Sequence, residues 1–476
     1  MSNLLSQLVS SSSTLDAYGR VLDTTQNNVA NASTPGYAKQ TMTLEALPFD
    51  PNSGATGGVR AGVLMSSRDQ YAEQGVRQQN LSLGAQQQLV TSLTELQSEF
   101  DISGNRGIPK ALNDLFQTFS AWAASPTNQA TRQTVLDKAT ALAQTFQQAY
   151  AGIANQEQTA AEQVSQTVDQ VNQMVGQLQK FNQIVMNGNH NDAGLDAQVN
   201  ATLENMSQLI DFTATKQVDG TVTIMLNGTQ LLLASDKQYK LTSSLSLPSS
   251  PPPTYPNAPA NVQVLASDGT DVTSKITNGQ LGALLNLRNQ ILPSYIGDAY
   301  QAGDLNTMAK QFADRVNSLL TAGNTSDGQS GNPLFTYDTS NDARVAQTIS
   351  VDSSLTPDQL AAIDPGPPYV SNGVPLSLAQ LASPTDIADM INGVSYSQYY
   401  GQLAGRVGGQ LSDATNQVQV QQSLVSQAQT LRQQISGVSL DEEAATLIEF
   451  QRAYQATSKF ITILDQLTET TINLIT

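Results

Sequence analysis

The two ends of the chain carry the strongest constraint on its fold. From Met1 one track of residues, Met1, Leu4, Leu8, Ser11, Leu15, Tyr18, Leu22, Thr25 and Val29, advances in alternating steps of three and four. Near the other end Leu447, Phe450, Tyr454, Thr457, Ile461, Leu464, Thr468, Thr471 and Ile475 do the same. Such steps define a helical heptad seam. A partner-specifying two-stranded coil would carry Glu and Lys beside its seam. Here the flanking positions are Leu5, Ser12, Gly19 and Gln26, then Gln7, Thr14, Val21 and Asn28, with no charge among them. The C-terminal seam is flanked by Ala453, Phe460, Leu467, Leu474 and Ile472. That apolar stripe is too wide for one partner helix, so it calls for at least two neighbours. The terminal helices are therefore expected to form coiled-coil-like pairs in an assembly. In the free chain they are expected to be poorly ordered, because an isolated helix of this length is marginal in water.

The first helix is stopped firmly by "NNVANASTPGYAKQ". Asn31 can close the helix with a left-handed residue. Pro35-Gly36 suits a type II turn with Gly supplying the positive φ. Asn27, Asn28, Asn31, Pro35, Gly36 and Tyr37 are thus expected to form an inter-domain turn. "KQTMTLEAL" then alternates like a strand. At the other end Ser439 and Glu442 have capping-box spacing, and Asp441 and Glu442 place negative charge on a first turn. That acidic pair reads as a helix start rather than as a metal or catalytic site.

Between the ends the chain is expected to be mainly α with a small β insertion, a long-helix bundle built from both halves. "PKALNDLFQTFSAW" places Leu112, Leu115, Phe116 and Phe119 on one face. Ser125-Pro126 is a suitable cap and first turn for a helix with Leu136, Ala139, Leu142, Phe146, Ala149 and Ile153 on its apolar side. Val164, Val168, Val171, Val175 and Leu178 continue it. Leu411, Ala414, Val418, Val425, Ala428 and Ile435 mark another helix. Asp219-Gly220 and Asn227-Gly228 lie between β-rich runs and predict a three-stranded meander. "SSPPPTYPNAP" reads as a stiff spacer. The expected division is residues 1–50 and 436–476 as terminal helices, 51–210 and 276–435 as helical body, and 211–275 as the β insertion. A loop-rich stretch spans 323–375, with a short helix at Pro357.

Composition narrows the function. The 476 residues carry 22 Lys+Arg against 40 Asp+Glu, a formal charge of −18. That argues against nucleic acid and against anionic membrane, which need a basic face. Only 13% of residues are charged. The polar surface must come from Gln, Asn, Ser and Thr, which resist packing into an ordered array less than like charges do. There is no cysteine, and the one histidine, His190, lies in the loop-like "NGNHND". No metal, no cofactor and no nucleophile-base pair is expected. Carboxylate dyads remain open for an enzyme, and a host-acting helical effector is a further reading. Trp122 reads as core. No apolar run is long enough to cross a membrane, and the N-terminus lacks the pattern of a cleaved signal.

Three blocks carry a resemblance. "NNVANASTPGYAKQ", "LNDLFQTFSAWAASPTNQATRQTVL" and "SGVSLDEEAATLIEFQRAYQATSKFITILDQL" are similar to blocks of the bacterial flagellar axial proteins. The second block favours the helical hook-associated members over rod and hook subunits. The resemblance implies a structural, non-enzymatic subunit at the hook–filament junction, arranged as a homo-oligomeric ring. Implied partners are the hook protein, a second hook-associated protein and a cytosolic export chaperone on the C-terminal segment. It also implies export to the extracellular flagellum by the type III route. The implied assembly interface is Leu4, Leu8, Leu15, Tyr18, Leu22, Val29, Leu447, Phe450, Tyr454, Phe460, Ile461, Leu464, Leu467 and Leu474. The chain departs from family members with an "LLD-x-RD" segment, because "GLDAQV" at Gly194–Val199 stands in its place. No ion pair is expected to carry over there. The resemblance further implies that an outer domain is reduced or missing here, where only the loop-rich stretch at 323–375 stands.

Overall fold

The computed structural model describes residues 2–50, 55–100, 104–188, 192–247, 251–255 and 259–473. Helix α1 (Ser2–Asn31) leads into a long β-ribbon. Its outer part pairs β1 (Gln40–Ala46) with β4 (Val59–Ser66), antiparallel with a bulge between Met42 and Leu44. Its tip pairs the short β2 (Phe49–Asp50) with β3 (Ala55–Thr56). The ribbon therefore runs past residue 50 into the stretch expected to begin the helical body, and it folds back along α1.

The body takes helices from both halves. They are α2 (Gln70–Ser98), α3 (Gly107–Ala124), α4 (Gln129–Met186), α5 (Ala193–Leu209), α8 (Asp304–Ala322) and α11 (Tyr396–Ser436). Short pieces complete it: α6 (Gly279–Asn286), a π-helical turn at Leu287–Ile291, α7 (Leu292–Ile296), α9 (Val345–Thr348) and α10 (Gly373–Gln380). Helix α12 (Leu440–Asn473) closes the chain. The 58 residues of α4 span about 87 Å at 1.5 Å per residue. Its first half buries Leu136, Ala139, Leu142 and Phe146 in the main core with Phe119, Trp122 and Phe312. Its second half buries Val164 to Leu178 in a separate core under the β insertion. The cap of α4 differs from expectation. Asn128, not Ser125, accepts from the amides of Ala130 and Thr131, at 2.9 and 3.3 Å. The Pro126 carbonyl instead accepts from Trp122 Nε1 and Arg132 Nε. In α11, Ala414 and Val425 are buried, but Ile435 is exposed and its neighbour Ser436 is buried.

The insertion has four strands rather than three, β5 (Phe212–Lys216), β6 (Val222–Leu226), β7 (Gln230–Ala234) and β8 (Lys237–Gln238), in that order. Asn227 at φ 44° and Gly228 at φ 66° make the primed turn that matches strand twist. A separate hairpin follows, β9 (Thr242–Ser246) with β10 (Asn261–Leu265). Part of the proline-rich segment lies outside the described residues. Its remainder is tied to the body where Tyr255 donates its amide to Ala299 and Tyr300 donates its hydroxyl to Pro251. The loop-rich stretch at 323–375 forms no outer domain among the described residues. Its two-stranded pair, β11 (Phe335–Thr336) with β12 (Ser350–Val351), and its loops send Leu334, Val345, Ile349, Leu360 and Val374 into the main core. The short helix at Pro357 is present, with the Thr356–Gln359 capping box. His190 lies outside the described residues.

Candidate assembly interface and hinge

Helices α1 and α12 pair within one chain, so each terminal helix has the other as one of its neighbours. Tyr18 and Phe450 meet edge to face with centroids 5.6 Å apart, and Leu464 is buried at 3% exposure. The most buried line on α1 is Thr14, Ala17, Val21, Thr25 and Asn28. The expected seam of Leu4, Leu8, Leu15, Tyr18 and Leu22 lies beside that line and is only half-buried, and Val29 is exposed. The cause is the ribbon. Thr14 Oγ1 accepts from the Val59 amide at 3.0 Å, Ser10 donates to the Gly57 carbonyl, and Thr56 donates to the Ser6 carbonyl at 3.4 Å. A Cβ on Gly58 would come within 2.4 Å of Ser10 Oγ. The small hydroxyl residues of α1 let a strand backbone approach closely, which a leucine seam could not.

On α12 the half-buried face includes Leu447, Phe450 and Ile461, whereas Tyr454, Phe460 and Leu467 are exposed. Ile448, Ile463 and Ile472 extend that uncovered stripe, and Leu5 and Val9 expose apolar surface on α1. One partner helix does not cover the stripe, as its width requires. Leu474 lies outside the described residues.

Beneath this pair sits the turn. Tyr37 donates its amide to the Thr34 carbonyl at 3.1 Å, with Pro35 and Gly36 between them and Gly36 at φ 73°. That is the hydrogen bond of a β-turn with left-handed glycine at its third position. Asn31 does not adopt the left-handed conformation. It remains helical and donates to Asn27, to the carbonyl at 3.0 Å and the side chain at 2.7 Å. Gly36 has a second constraint: a Cβ there would stand 2.5 Å from the Ala197 carbonyl of α5.

Asn28 is the centre of the joint. Its Oδ1 accepts from the Gln40 amide and the Tyr37 hydroxyl, both at 2.9 Å. Its Nδ2 donates to the Gln40 carbonyl at 2.8 Å and to Glu443 Oε2 at 2.9 Å. Lys39 reaches Glu442 at 3.0 Å and Glu443 at 3.1 Å. Burial would lower the Lys39 ammonium, but the two carboxylates outweigh it and push its pKa up. Burial and the Glu443 charge push the Tyr37 hydroxyl up, so it stays a donor.

A second polar cluster fastens the joint to the body. Arg68 bridges Glu73 at 2.5 Å, Asp196 at 2.8 Å and the Gly36 carbonyl at 2.6 Å. Arg432 joins Glu73 and Glu204, at 3.2 and 2.6 Å. Ser436 accepts the Asp69 amide on its hydroxyl and the Lys39 amide on its carbonyl. Asp196 thus carries an ion pair where none was expected, with a partner from the ribbon's end rather than from its own helix. Sequence reasoning missed Lys39, Arg68, Glu73, Arg432 and Glu443. None of them has a spacing that names its partner, and Glu443 in particular sits in the acidic first turn of α12 beside Asp441 and Glu442. Only the helix start at Ser439 was legible, and there the hydroxyl accepts from the Glu442 amide at 3.4 Å.

No metal-holding group of side chains occurs among the described residues, and no helix there is long and apolar enough to cross a membrane. The joint clamps three segments of the chain, α1, the ribbon and the start of α12. A chain whose two ends form one arm, tied by ion pairs to a helical body and left apolar along one side of α12, has the build of a structural subunit. Residues 93–335 match the family model described as the flagellar hook-associated protein FlgK helical domain, so the chain belongs to the FlgK family. Residues 432–474 match the model for the flagellar basal body rod FlgEFG protein C-terminal region. The chain is 25% identical over 496 residues to flagellar hook-associated protein 1 of Bacillus subtilis, covering 96% of each. It is 22% identical over 559 residues to the Escherichia coli protein of that name, covering 100% of each. Its fold is similar to the structure of the flagellar hook junction protein FlgK from Burkholderia pseudomallei, with a TM-score of 0.64 at 15% identity over 76% of this chain and 100% of that one.

Proposed function

We propose that this chain is a structural subunit of the bacterial flagellum that joins hook to filament as a ring of identical copies. The observation that carries the reading is the uncovered apolar stripe on α12, set on an arm that the Arg68 and Arg432 ion pairs fasten to an FlgK-type helical body. Residues 1–50 and 436–476, together with the ribbon strand at 59–66, act as the inner, tube-forming part. The helical body and the 211–275 insertion lie outside it. The alignment with the Escherichia coli relative is longer than this chain's 476 residues, which supports the reading that an outer domain is missing from 323–375. Partners at the two ends of the ring are the hook protein and a second hook-associated protein. A cytosolic chaperone covers the apolar C-terminal helix before export by the flagellar type III route to the extracellular hook–filament junction. The chain performs no catalysis in this role.

A hook or rod subunit is the second reading, favoured by the rod-type match at residues 432–474. The helical body speaks against it. The deciding experiment is deletion of the gene followed by electron microscopy of the cells. Bare hooks with filament subunits lost to the medium are expected, whereas loss of the hook itself would overturn the junction reading.

A further inference from the structure

A cavity of about 420 Å³ opens beside the joint, walled by α2, α5, the end of α4 and strand β5. Its size falls in the range of sites that hold a ligand. Two independent features of its walls point to one kind of occupant. The first is β5 itself, an edge strand of the four-stranded sheet. The Gln217 amide donates to the Thr221 carbonyl, toward β6. Antiparallel strands alternate the side to which backbone groups point. Thr213 and Thr215 therefore also face β6, and the backbone groups of Phe212, Ala214 and Lys216 face the free edge. No hydrogen bond to those outward groups is found among the described residues. The second is Arg77 of α2, half-buried in the cavity wall. Its guanidinium makes no ion pair or hydrogen bond among the described residues. The nearby carboxylates Glu73 and Glu204 are held by Arg68 and Arg432. Burial, with those two cations close by, lowers its pKa.

We propose that this cavity binds an extended, acidic peptide segment of another protein by strand addition to β5. Three outward residues on β5 set a short antiparallel or parallel pairing, the geometry in which main-chain bonds supply affinity and alternate side chains supply specificity. Apolar side chains of the segment rest on Leu81, Phe181, Val199 and Phe212 in the cavity lining. A carboxylate of the segment pairs with Arg77, which suits a planar fork of donors. The lining is mixed, with Asp192 and Asp211 beside these apolar side chains, and the half-burial of Arg77 gives the pair more weight than an exposed one.

The test is selection of a displayed library of random heptapeptides on the full-length chain, with the Arg77→Gln and Ala214→Pro variants in parallel. Pro at an outward edge position removes one donor without touching the bonds to β6. Wild type is expected to enrich peptides in which an acidic residue lies one position from an apolar one. Both variants are expected to lose that enrichment at least tenfold while melting within a few degrees of wild type. Synthesised winners should slow amide exchange at Phe212, Ala214 and Lys216. Equal enrichment on wild type and Arg77→Gln, no enrichment on wild type, or winners that leave those three amides unprotected would each overturn the proposal.

Discussion

Asn28 and Glu443 are 415 positions apart in the chain and share a 2.9 Å hydrogen bond inside the joint. Asn28 thereby uses both donors and both lone pairs of its amide, on Glu443, Gln40 and Tyr37. An amide that is fully used cannot be replaced by its acid. Asn28→Asp would lose both donors and set a second carboxylate against Glu443, which is 2% exposed. Lys39 compensates one charge and not two. The expected cost is on the order of 3 kcal/mol, confined to the joint. Limited proteolysis should then cut the ribbon and the start of α12 well before the body, with the body's melting unchanged. A variant that resists protease like wild type would show that the joint is held by something else.

Gly36 serves the same joint by omission. A side chain at φ 73° costs about 1–3 kcal/mol by backbone strain alone. The Ala197 carbonyl stands where a Cβ would go, so Gly36→Val should also push the turn off α5 and break the Arg68 bond to the Gly36 carbonyl. Changing a turn held only by its own residues would leave the free chain's stability untouched. The contact with α5 predicts instead a measurable drop in melting temperature, together with lost motility. Calorimetry on Gly36→Ala and Gly36→Val checks this: both should melt lower, Val by more, and two unchanged melts would refute the contact.

The legible parts of this fold are those in which many residues repeat one signal. The helices of the bundle, the primed turn at Asn227-Gly228 and the glycine turn at Gly36 each follow from a local pattern. On α1 the most buried line shares Thr25 with the expected seam and otherwise lies one position from it, because α12 and the ribbon divide that helix between them. Leucines mark the side toward α12, while Ser10, Thr14 and Asn28 receive a ribbon whose backbone, not its side chains, makes the contact. Hydroxyls that serve a neighbouring backbone look in sequence like ordinary surface polarity. The second strand of the ribbon, "VRAGVLMS", was passed over for the same reason: half-exposed on both faces, it alternates too weakly to be read. The charges of the joint were illegible because Lys39–Glu442, Arg68–Asp196 and Arg432–Glu204 pair across 403, 128 and 228 positions, and only Arg68–Glu73 is local.

Stability should also carry a pH signature from the border between the two cores. Glu157 of α4 and Arg288 of the π-helical turn pair at 2.7 Å, each 4% exposed. Burial pushes the Glu157 carboxyl up to about 7; Arg288 opposes this only in part and Asp298 adds to it. A carboxyl raised above its unfolded value of about 4.3 binds its proton more tightly in the folded chain. Its contribution is complete below that unfolded value and is lost as pH rises through 7. The expected loss between pH 4.5 and 8 is up to about 3 kcal/mol relative to Glu157→Gln, whose amide does not titrate. Urea unfolding of both proteins across that range measures it. Parallel curves would mean that Glu157 is ionised throughout.

The two sides of α12 should respond oppositely to mutation. Leu464 is buried against α1, so Leu464→Ala removes contact within the chain and costs about 2–3 kcal/mol of the pairing between α1 and α12. Leu467 is 50% exposed in the free chain. Leu467→Asp sets a carboxylate in water there and changes little. Once a neighbouring copy covers that side, the same carboxylate is buried without a partner, which costs several kcal/mol or forces its protonation. Phe460→Asp should behave like Leu467→Asp, and the half-buried Ile461 should fall between the two classes. Protease resistance of the free chain and filament assembly in cells separate the effects. Leu464→Ala is expected to loosen the arm in the free chain. Leu467→Asp and Phe460→Asp are expected to leave the free chain intact and abolish junction assembly. Normal filaments in both aspartate variants would show that the exposed stripe faces solvent in the flagellum, and the interface would have to lie on another side of the arm.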